Sequence, residues 1–256
     1  MIKIEKTEVV GLEPAIRGMR NPMNSWDKSD SDECNGGDGI CDSCYLKSNI
    51  KNCLNAKYII GEADHDLMMR LAAGGSVHAK YRRMIVVYVD ITAPLYWWKE
   101  FDTYKVGTVA NSCSTMHKIH EKEFTWEDFS VEHLTNFGMW GEQFTDADAV
   151  YAPAKTMGCI ISALNGARDR YLDFKSRGTQ WEHQAKQAWW QMIQLLPSSY
   201  NQKRTVMLNY EVLVSIYRWR KEHKLDEWRE FCRWIEQLPY SEIITGSKED
   251  SDERTV

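Results

Sequence analysis

The sequence lacks the features that would direct a protein of this size to a membrane or to nucleic acid. No apolar run approaches the roughly 20 residues that span a bilayer. The opening residues MIKIEKTEVV lack the uninterrupted apolar core of a secretion signal. The net charge is -5, so no basic excess favours nucleic acid or a membrane surface. We therefore expect a cytoplasmic protein that binds neither membranes nor nucleic acid.

Internal repeats and clear linkers are also missing. The sequence therefore predicts one α+β domain over residues 1–245, in which a central sheet packs with long helices. A chain of 256 residues can bury a sizeable core in this way. The last residues, GSKEDSDERTV at 246–256, are charged and are expected to be disordered.

Apolar periodicity predicts the order of the elements. Alternation in IKIEKTEVV predicts an opening strand, and the nearly continuous apolar run RMIVVYVDI at 83–91 predicts a strand covered on both faces. Pro94 is expected to begin a helix through Trp97 and Trp98. Further helices are expected at 64–73, 146–176, 182–195, 206–220 and 225–237. The apolar stripe of the longest is expected at Val150, Ala154, Met157, Ile161, Leu164 and Ala167.

Seven cysteines are the unusual count in the composition. A Cys-rich insertion at about residues 27–55 contains the stretch DECNGGDGICDSCYLKSNIKNC. Its thiols, Cys34, Cys41, Cys44 and Cys53, include one CxxC pair and are candidate ligands of a structural zinc ion. Free thiols in a loop are the alternative, and a disulfide is a weaker one in a reducing compartment. Cys159 and Cys232 are expected to be buried as small apolar residues.

The stretch APLYWWKEFDTYKVGTVANSCSTMHK, residues 93–118, joins two adjacent tryptophans to a run of small polar side chains. The run is neither a good strand nor a good helix by composition. Trp97 and Trp98 offer large aromatic faces, and residues 108–115 offer hydroxyl, amide and thiol groups. The junction suits a polar ligand held against an aromatic wall. A packed junction, whose Thr and Ser groups cap neighbouring backbone, is the alternative.

A second candidate site lies near the end of the chain. Asn209 and Arg220 are eleven residues apart, about three helical turns, so one helix would project both from nearly the same side. The planar guanidinium of Arg220 suits a phosphate or a carboxylate. The alternative is an arginine on a solvated face near Glu222 and Asp226.

These stretches resemble the flavin-dependent thymidylate synthases (ThyX), and most closely the divergent phage and bacterial members. LLPSSYNQKRTVMLNYEVLVSIYRWR, residues 195–220, is similar to the family segment that runs from a Leu-Pro through an Asn to an Arg. APLYWWKEFDTYKVGTVANSCS lies where the family carries an Arg-His-Arg triplet followed by Ser, Asn, Ser and Arg. The resemblance covers about residues 58–238, in order and spacing more than in identity.

The chain departs from this family pattern at its charged positions. Aligned from Pro94, the family triplet falls on Thr103, Tyr104 and Lys105, which leaves one cation. The family arginine two residues after the Asn is Glu211 here. Four other residues are candidates to supply the missing charge: Lys118, Arg204, Arg218 and Arg220. Lys80, Arg82 and Arg83 form a further basic cluster that is a plausible anion contact.

The resemblance implies an FAD-dependent enzyme that methylates dUMP to dTMP, with methylenetetrahydrofolate and NADPH as co-substrates. It also implies a homotetramer. The catalytic positions would be Lys105, Thr108 and Arg220. The cofactor-binding positions would be His78, Tyr104, Asn111, Ser114 and Asn209, with Trp97 and Trp98 as further stacking surfaces. The alternative is a non-catalytic relative that binds nucleotide or flavin, or serves in assembly, after losing the signature arginines.

Overall fold

The chain forms two compact units. The computed structural model of the protein describes residues 2–34, 58–135 and 152–246. We call Ile2–Ile91, Phe101–Asn111 and Arg204–Val256 the sheet unit, and Thr92–Glu100 with Ser112–Lys203 the helical unit. The single domain expected over residues 1–245 stays a prediction.

A four-stranded sheet has the strand order β1-β4-β6-β5, and a two-stranded antiparallel ribbon joins β2 to β3. The strands are β1 (Lys3–Val10), β2 (Asp32–Glu33), β3 (Tyr58–Ile59), β4 (Val86–Pro94), β5 (Thr108–Ser112) and β6 (Asn201–Asn209). Most residues of the four-stranded sheet belong to the sheet unit. The last residues of β4 and β5 and the first residues of β6 belong to the helical unit.

Strand β4 has one buried face. Val87, Val89 and Ile91 are buried, whereas Tyr88 between them is 44% exposed. This period of two is that of a half-buried strand. The expectation of a strand covered on both faces was therefore wrong within the described chain.

Eight α-helices are present in the described residues. They are α1 (Leu12–Arg20), α2 (Glu62–Ala73), α3 (Leu95–Phe101), α4 (Pro153–Ser176), α5 (Glu182–Leu195), α6 (Tyr210–Arg220), α7 (Asp226–Ile235) and α8 (Glu242–Thr245). Helix α5 has the predicted bounds. Helix α4 begins at Pro153, and residues 146–151 of its predicted span lie outside the described residues. The α+β class is confirmed.

The late helical prediction was wrong at its start. Residues 201–209 form β6, and α6 begins only at Tyr210. Val206 and Leu208 are buried on β6, with Met207 between them half-buried, which is the spacing of a strand. Val206 and Tyr210 are four residues apart, which is a helical interval, but Val206 lies on the strand and Tyr210 begins the helix.

A buried ion pair joins α1 and α2 in the sheet unit. The Nε of Arg20 donates to the Asp64 carboxylate at 2.5 Å, and both side chains are buried. The hydroxyls of Ser29 and Ser31 donate to the other carboxylate oxygen at 2.7 and 2.6 Å. Asp64 lies within α2, and its carboxylate links residues 29–31 to this helix.

The helical unit is built on the packing of α4 against α5. The predicted stripe of α4 is confirmed at its described core positions, where Met157, Ile161, Leu164 and Ala167 are buried; Ala154 is half-buried. Val150 lies outside the described residues. The same core contains Ile119, Phe124, Phe129 and Met192.

The described cysteines differ in burial. Cys232 is buried, as predicted, and burial raises the pKa of its thiol to about 12. Cys159 is exposed, so the expectation of a buried small apolar residue was wrong there. It lies on a face of α4 away from the buried stripe. No helix in the described part of the chain is long and apolar enough to cross a membrane.

Candidate functional site

The predicted site residues lie mainly in the sheet unit. Ser114 belongs to the helical unit, and the other seven belong to the sheet unit: His78, Tyr104, Lys105, Thr108, Asn111, Asn209 and Arg220. Two groups of contacts involve three of these seven residues, Tyr104, Asn209 and Arg220. One is built around the side chain of Arg220, and the other around Gly107.

Arg220 is held by two aromatic rings. Its Nε donates to the Tyr104 hydroxyl at 3.0 Å. Its guanidinium carbon lies 4.7 Å from the ring centroid of Trp228 and 5.8 Å from that of Tyr104. The two rings meet edge to face at 5.9 Å, with Phe101 stacked on Trp228 at 6.4 Å. Cation–π contact and the hydrogen bond together fix the orientation of this cation.

Asn209 and Gly107 pack tightly against each other. Asn209 caps α6, because its side-chain oxygen accepts from the Val212 N–H at 3.1 Å. Gly107 has φ +78°, and a Cβ at this position would lie 2.7 Å from the Asn209 Nδ2. Only glycine fits here, both for its backbone conformation and for the space. Because Asn209 precedes α6 rather than lying within it, the predicted helical alignment of Asn209 with Arg220 was wrong.

Thr108 follows this contact as the first residue of β5. Its side-chain oxygen is buried and has no hydrogen-bond partner among the described residues. Most buried polar groups are paired, so this unpartnered hydroxyl is unusual. Lys105 and Asn111, on either side of it in sequence, are exposed.

His78 lies apart from these contacts, in the turn after α2. It is exposed, and a Cβ on Gly74 would lie 3.2 Å from its ring. Its backbone N–H donates to the Gly75 carbonyl at 3.0 Å. Arg82, which follows it, is buried, so the basic cluster of residues 80–83 does not share one exposed face.

Trp97 and Trp98 do not form an aromatic wall. Both side chains are fully buried in the helical unit, with ring centroids 4.9 Å apart. The Trp98 Nε1 donates to the Gln202 carbonyl at 2.9 Å. Their buried apolar area stabilises the packing of α3 in the helical unit. The prediction that they stack on a ligand was therefore wrong.

The polar run between Thr108 and Ser112 is a strand. Four of its five residues are exposed, because β5 lies at the edge of the sheet order. The expectation that this run is neither strand nor helix was therefore wrong. An edge strand needs few apolar residues, since one side of its backbone is unpaired within the sheet.

Ser114 lines a small groove of about 240 Å³ in the helical unit. Its hydroxyl oxygen accepts from the His117 N–H at 3.1 Å. The groove is also lined by Thr92, Cys113, Thr115, Lys122, Glu127, Asp128 and Tyr200–Lys203. Lys122 pairs with the buried carboxylate of Asp128. Burial raises the pKa of the Tyr200 hydroxyl, and Asp128 and Cys113 add to the shift.

Two of the candidate replacement cations are paired where they lie. Arg204 Nη1 is 2.7 Å from the Asp102 carboxylate, and Lys118 pairs with Glu121. Arg218 lies 5.3 Å from the ring centroid of its neighbour Trp219. Among these four, Arg220 contacts a predicted site residue, Tyr104.

The zinc hypothesis concerns residues of which only one is described. Cys34 is half-buried, and Cys41, Cys44 and Cys53 lie outside the described residues. Within residues 2–34, 58–135 and 152–246, no group of three or more His, Cys, Asp or Glu side chains is placed to hold a metal ion. The zinc site stays a prediction.

Sequence reasoning missed Trp228, which supplies the nearest aromatic face to Arg220. Trp228 lies on α7, eight residues beyond Arg220, with a turn between the two helices. No helical interval connects the two residues. The available signal was a short connection between amphipathic helices, which returns α7 alongside α6.

Two solved structures of thymidylate synthase X (ThyX) from Helicobacter pylori have a similar fold. A crystal structure with FAD and dUMP matches with a TM-score of 0.56 and 16% identity, over 96% of this chain and 97% of that chain. Another, also complexed with FAD and dUMP, matches with a TM-score of 0.54 and 16% identity, over 94% and 97%. No family model and no curated protein matches the sequence. The likeness shows the fold.

Proposed function

We propose that this protein is a flavin-dependent thymidylate synthase-like enzyme that methylates dUMP to dTMP. The observation that supports the proposal best is the likeness of fold over 96% of the chain to a ThyX crystallised with FAD and dUMP. The residues that carry the sequence resemblance also supply the contacts around Arg220 and Gly107.

Those contacts fit a flavin nucleotide. The Thr108 hydroxyl is buried without a partner among the described residues, and the glycine before it allows close approach to the backbone. Arg220 provides an oriented guanidinium, which suits a phosphate or a ring oxygen. FAD, once bound, supplies hydride chemistry, so the chain has to bind and orient its ligands and exclude water.

The proposed roles follow the chemistry of each side chain. Lys105, Thr108 and Arg220 act on dUMP as a cation, a hydroxyl donor and an orienting cation. The proposed FAD-binding positions carry two rings, two amides and a hydroxyl: His78, Tyr104, Asn111, Asn209 and Ser114. NADPH and methylenetetrahydrofolate are the proposed co-substrates. A homotetramer in the cytoplasm and a zinc ion on the four clustered cysteines complete the proposal.

A second candidate is a non-catalytic relative that binds nucleotide or flavin or serves in assembly. The specific observation in its favour is the loss of signature charge. Only Lys105 remains of the expected triplet, and Glu211 stands where the family has an arginine. Such a protein would keep the fold without the thymidylate synthase activity.

The absorption spectrum of the purified protein separates the two candidates. We expect flavin bands that co-elute with the protein after FAD is added and the excess is removed by gel filtration. We further expect dUMP to perturb these bands and NADPH oxidation to depend on dUMP and methylenetetrahydrofolate. A protein that retains FAD without turnover is the non-catalytic relative. A protein that does not bind FAD contradicts the enzyme and leaves a relative that binds nucleotide or serves in assembly.

The Arg220→Ala variant tests the placement of the site. We expect it to lose dUMP-dependent NADPH oxidation by about tenfold or more, since one charge-assisted contact has that effect. Arg233→Ala is the matched control, because Arg233 is an exposed arginine that pairs with Glu230 on α7. Equal activity of the two variants would contradict the assignment of Arg220.

A further inference from the structure

The side chain of Arg220 rests on a tryptophan that no sequence pattern assigned to the site. The guanidinium carbon of Arg220 lies 4.7 Å from the ring centroid of Trp228, and its Nε donates to the Tyr104 hydroxyl at 3.0 Å. Arg220 and Tyr104 are half-buried, whereas Trp228 is fully buried. The two aromatic residues therefore restrict a cation that keeps part of its surface exposed.

The ring of Trp228 is itself held in place by other aromatic rings. Phe101 stacks on it with the ring centroids 6.4 Å apart and the planes 18° apart. Phe231 meets Trp228 edge to face at 6.0 Å, and meets Phe101 in the same way at 6.2 Å. All three side chains are buried. Close packing of this kind leaves the indole little freedom to rotate.

The connection between α6 and α7 sets the place of Trp228 beside the end of α6. The Nη1 of Arg229 donates to the carbonyls of His223 and Lys224, at 2.7 and 3.2 Å. The same arginine pairs with Asp226 in the first turn of α7. These contacts fix the turn, and α6 packs against α7. The indole face is therefore presented by a helix whose position is fixed, which suits a precise contact better than a loop does.

A contact of this kind affects how a ligand binds to Arg220. A long side chain samples many rotamers, and a ligand that binds it must fix one of them at a cost in conformational entropy. Trp228 and Tyr104 restrict Arg220 in the chain without ligand, so less of this entropy is lost on binding. Indole is the best aromatic face for a cation, and it carries no charge that would neutralise the arginine, as a carboxylate would.

We propose that Trp228 is a positioning residue, whose indole face holds Arg220 in the orientation in which this cation meets dUMP. The inference rests on the proposed function, which assigns Arg220 to dUMP. It adds a residue that acts through Arg220 and does not itself touch the ligand. A ring so deeply buried also fills the core, so the experiment has to separate positioning from packing.

Calorimetric titration of dUMP into the full chain measures the effect of Trp228. We expect Trp228→Leu, which keeps an apolar side chain without a π face, to bind dUMP about fivefold more weakly than wild type. Trp228→Phe keeps an aromatic face and should stay within about twofold of wild type. Trp234→Leu is the matched control and should bind as wild type does, since Trp234 lies on the same helix and its indole N–H donates to the Thr7 hydroxyl.

A double-mutant cycle separates positioning from packing. In an Arg220→Ala chain there is no guanidinium to orient, so adding Trp228→Leu should leave the dUMP affinity unchanged. An equal loss with and without Arg220, or a Trp228→Phe chain that binds as weakly as Trp228→Leu, overturns the positioning role. Circular dichroism checks that each variant is folded.

The wild-type chain gives a further reading that needs no change at Trp228. Nuclear magnetic resonance follows the exchange of the Arg220 Nε–H with water, and the signal is assigned by its loss in Arg220→Ala. We expect slow exchange without dUMP, because this group donates to Tyr104 beside the Trp228 ring. Arg233, whose side chain is 63% exposed, is the reference within the same chain. Exchange as fast as that of Arg233 would show that Arg220 is not held before dUMP binds, and would overturn the proposal.

The outcomes separate this inference from the proposed function. If Arg220→Ala weakens dUMP binding and Trp228→Leu does not, the positioning role fails and the proposed enzyme stands. If Arg220→Ala binds dUMP as wild type does, the assignment of Arg220 fails, and that of Trp228 fails with it. A wild-type chain that binds no dUMP overturns both the inference and the proposed function.

Discussion

At the scale of single residues, the buried carboxylate of Asp64 links three parts of the chain through hydrogen bonds. Asp64 accepts from Arg20, Ser29 and Ser31, so its carboxylate is nearly saturated. Burial on its own would raise the pKa of Asp64. The hydrogen bonds from Ser29, Ser31 and Arg20, with the charge of Arg20, outweigh it and lower the pKa.

Asp64→Asn removes the charge and keeps the shape. We expect a loss of about 3 kcal/mol in the free energy of unfolding, because Arg20 is left buried without its counter-charge. Asp66→Asn is the control, an exposed aspartate on the same helix. Urea denaturation of the two variants measures the difference, and equal midpoints would contradict a stabilising role for the buried pair.

The lowered pKa of Asp64 also predicts how stability depends on pH. A carboxyl whose pKa is lower in the folded chain contributes stability above its unfolded pKa, and that stability is lost as the pH falls through the folded pKa. We therefore expect the gap between wild type and Asp64→Asn to narrow below about pH 4. Denaturation at a series of acidic pH values measures it; a constant gap would mean that charge does not underlie the stabilisation.

At the scale of elements, the junction of β6 and α6 depends on one cap. Asn209→Ala should destabilise the chain by about 1 kcal/mol, the usual effect of losing an N-cap, while Asn209→Asp keeps an accepting oxygen and should be nearly neutral. Thermal and urea unfolding compare the two variants. If Asn209→Asp alone abolishes FAD binding while stability is kept, the amide has a ligand role beyond capping.

Helices α2 and α8 are linked by a contact between a histidine and a glutamate. The Nε2 of His65 lies 2.7 Å from the Glu242 carboxylate. This hydrogen bond raises the pKa of His65, and the Glu242 charge adds to the shift against the opposing effect of burial.

The raised pKa of His65 gives the opposite pH dependence from that of Asp64. Its stabilisation is fully present below the unfolded pKa of about 6.5 and is lost as the pH rises through the folded pKa. We expect wild type to lose unfolding free energy over this window relative to His65→Gln. Glu242→Gln should remove this pH dependence of the unfolding free energy. Parallel pH profiles for wild type and both variants would show that the pair contributes nothing to stability.

Elements with strong apolar periodicity were predictable from the sequence. Helix α5 was predicted with its observed bounds, because Pro197 follows its end and its buried residues keep a helical interval. Strand β5 was not, since its residues are polar and its place at the sheet edge depends on β6. The prediction of one helix across the β6–α6 junction was wrong for another reason. Val206 and Tyr210 are four residues apart, but they belong to different elements.

The roles of the candidate site residues stay predictions, and their contacts depend on the fold. The family resemblance selected Tyr104, and the fold brings its hydroxyl to 3.0 Å from the Nε of Arg220. Trp97 and Trp98 are buried, so they do not offer a ligand-stacking surface. No local sequence pattern distinguishes a buried aromatic pair from an exposed one. The Arg82–Glu211 contact joins residues far apart in sequence, so only the fold could show it.

At the scale of the whole molecule, the sheet unit exposes apolar side chains along one segment. Val106 is 91% exposed and Val109, on the edge strand β5, is 61% exposed. Exposed apolar residues beside an open sheet edge favour association with another chain. The proposed homotetramer would cover them.

Light scattering after gel filtration tests this association. We expect a particle of four times the 29.9 kDa chain mass, and we expect Val109→Glu to shift it towards smaller species because a charge cannot be buried there without a partner. Met23→Glu is the control, since Met23 is 82% exposed and lies just beyond α1. If the sites are shared between subunits, Val109→Glu should lose FAD in proportion to the loss of the large particle. A single-chain particle that retains FAD would show instead that one chain forms the flavin site alone.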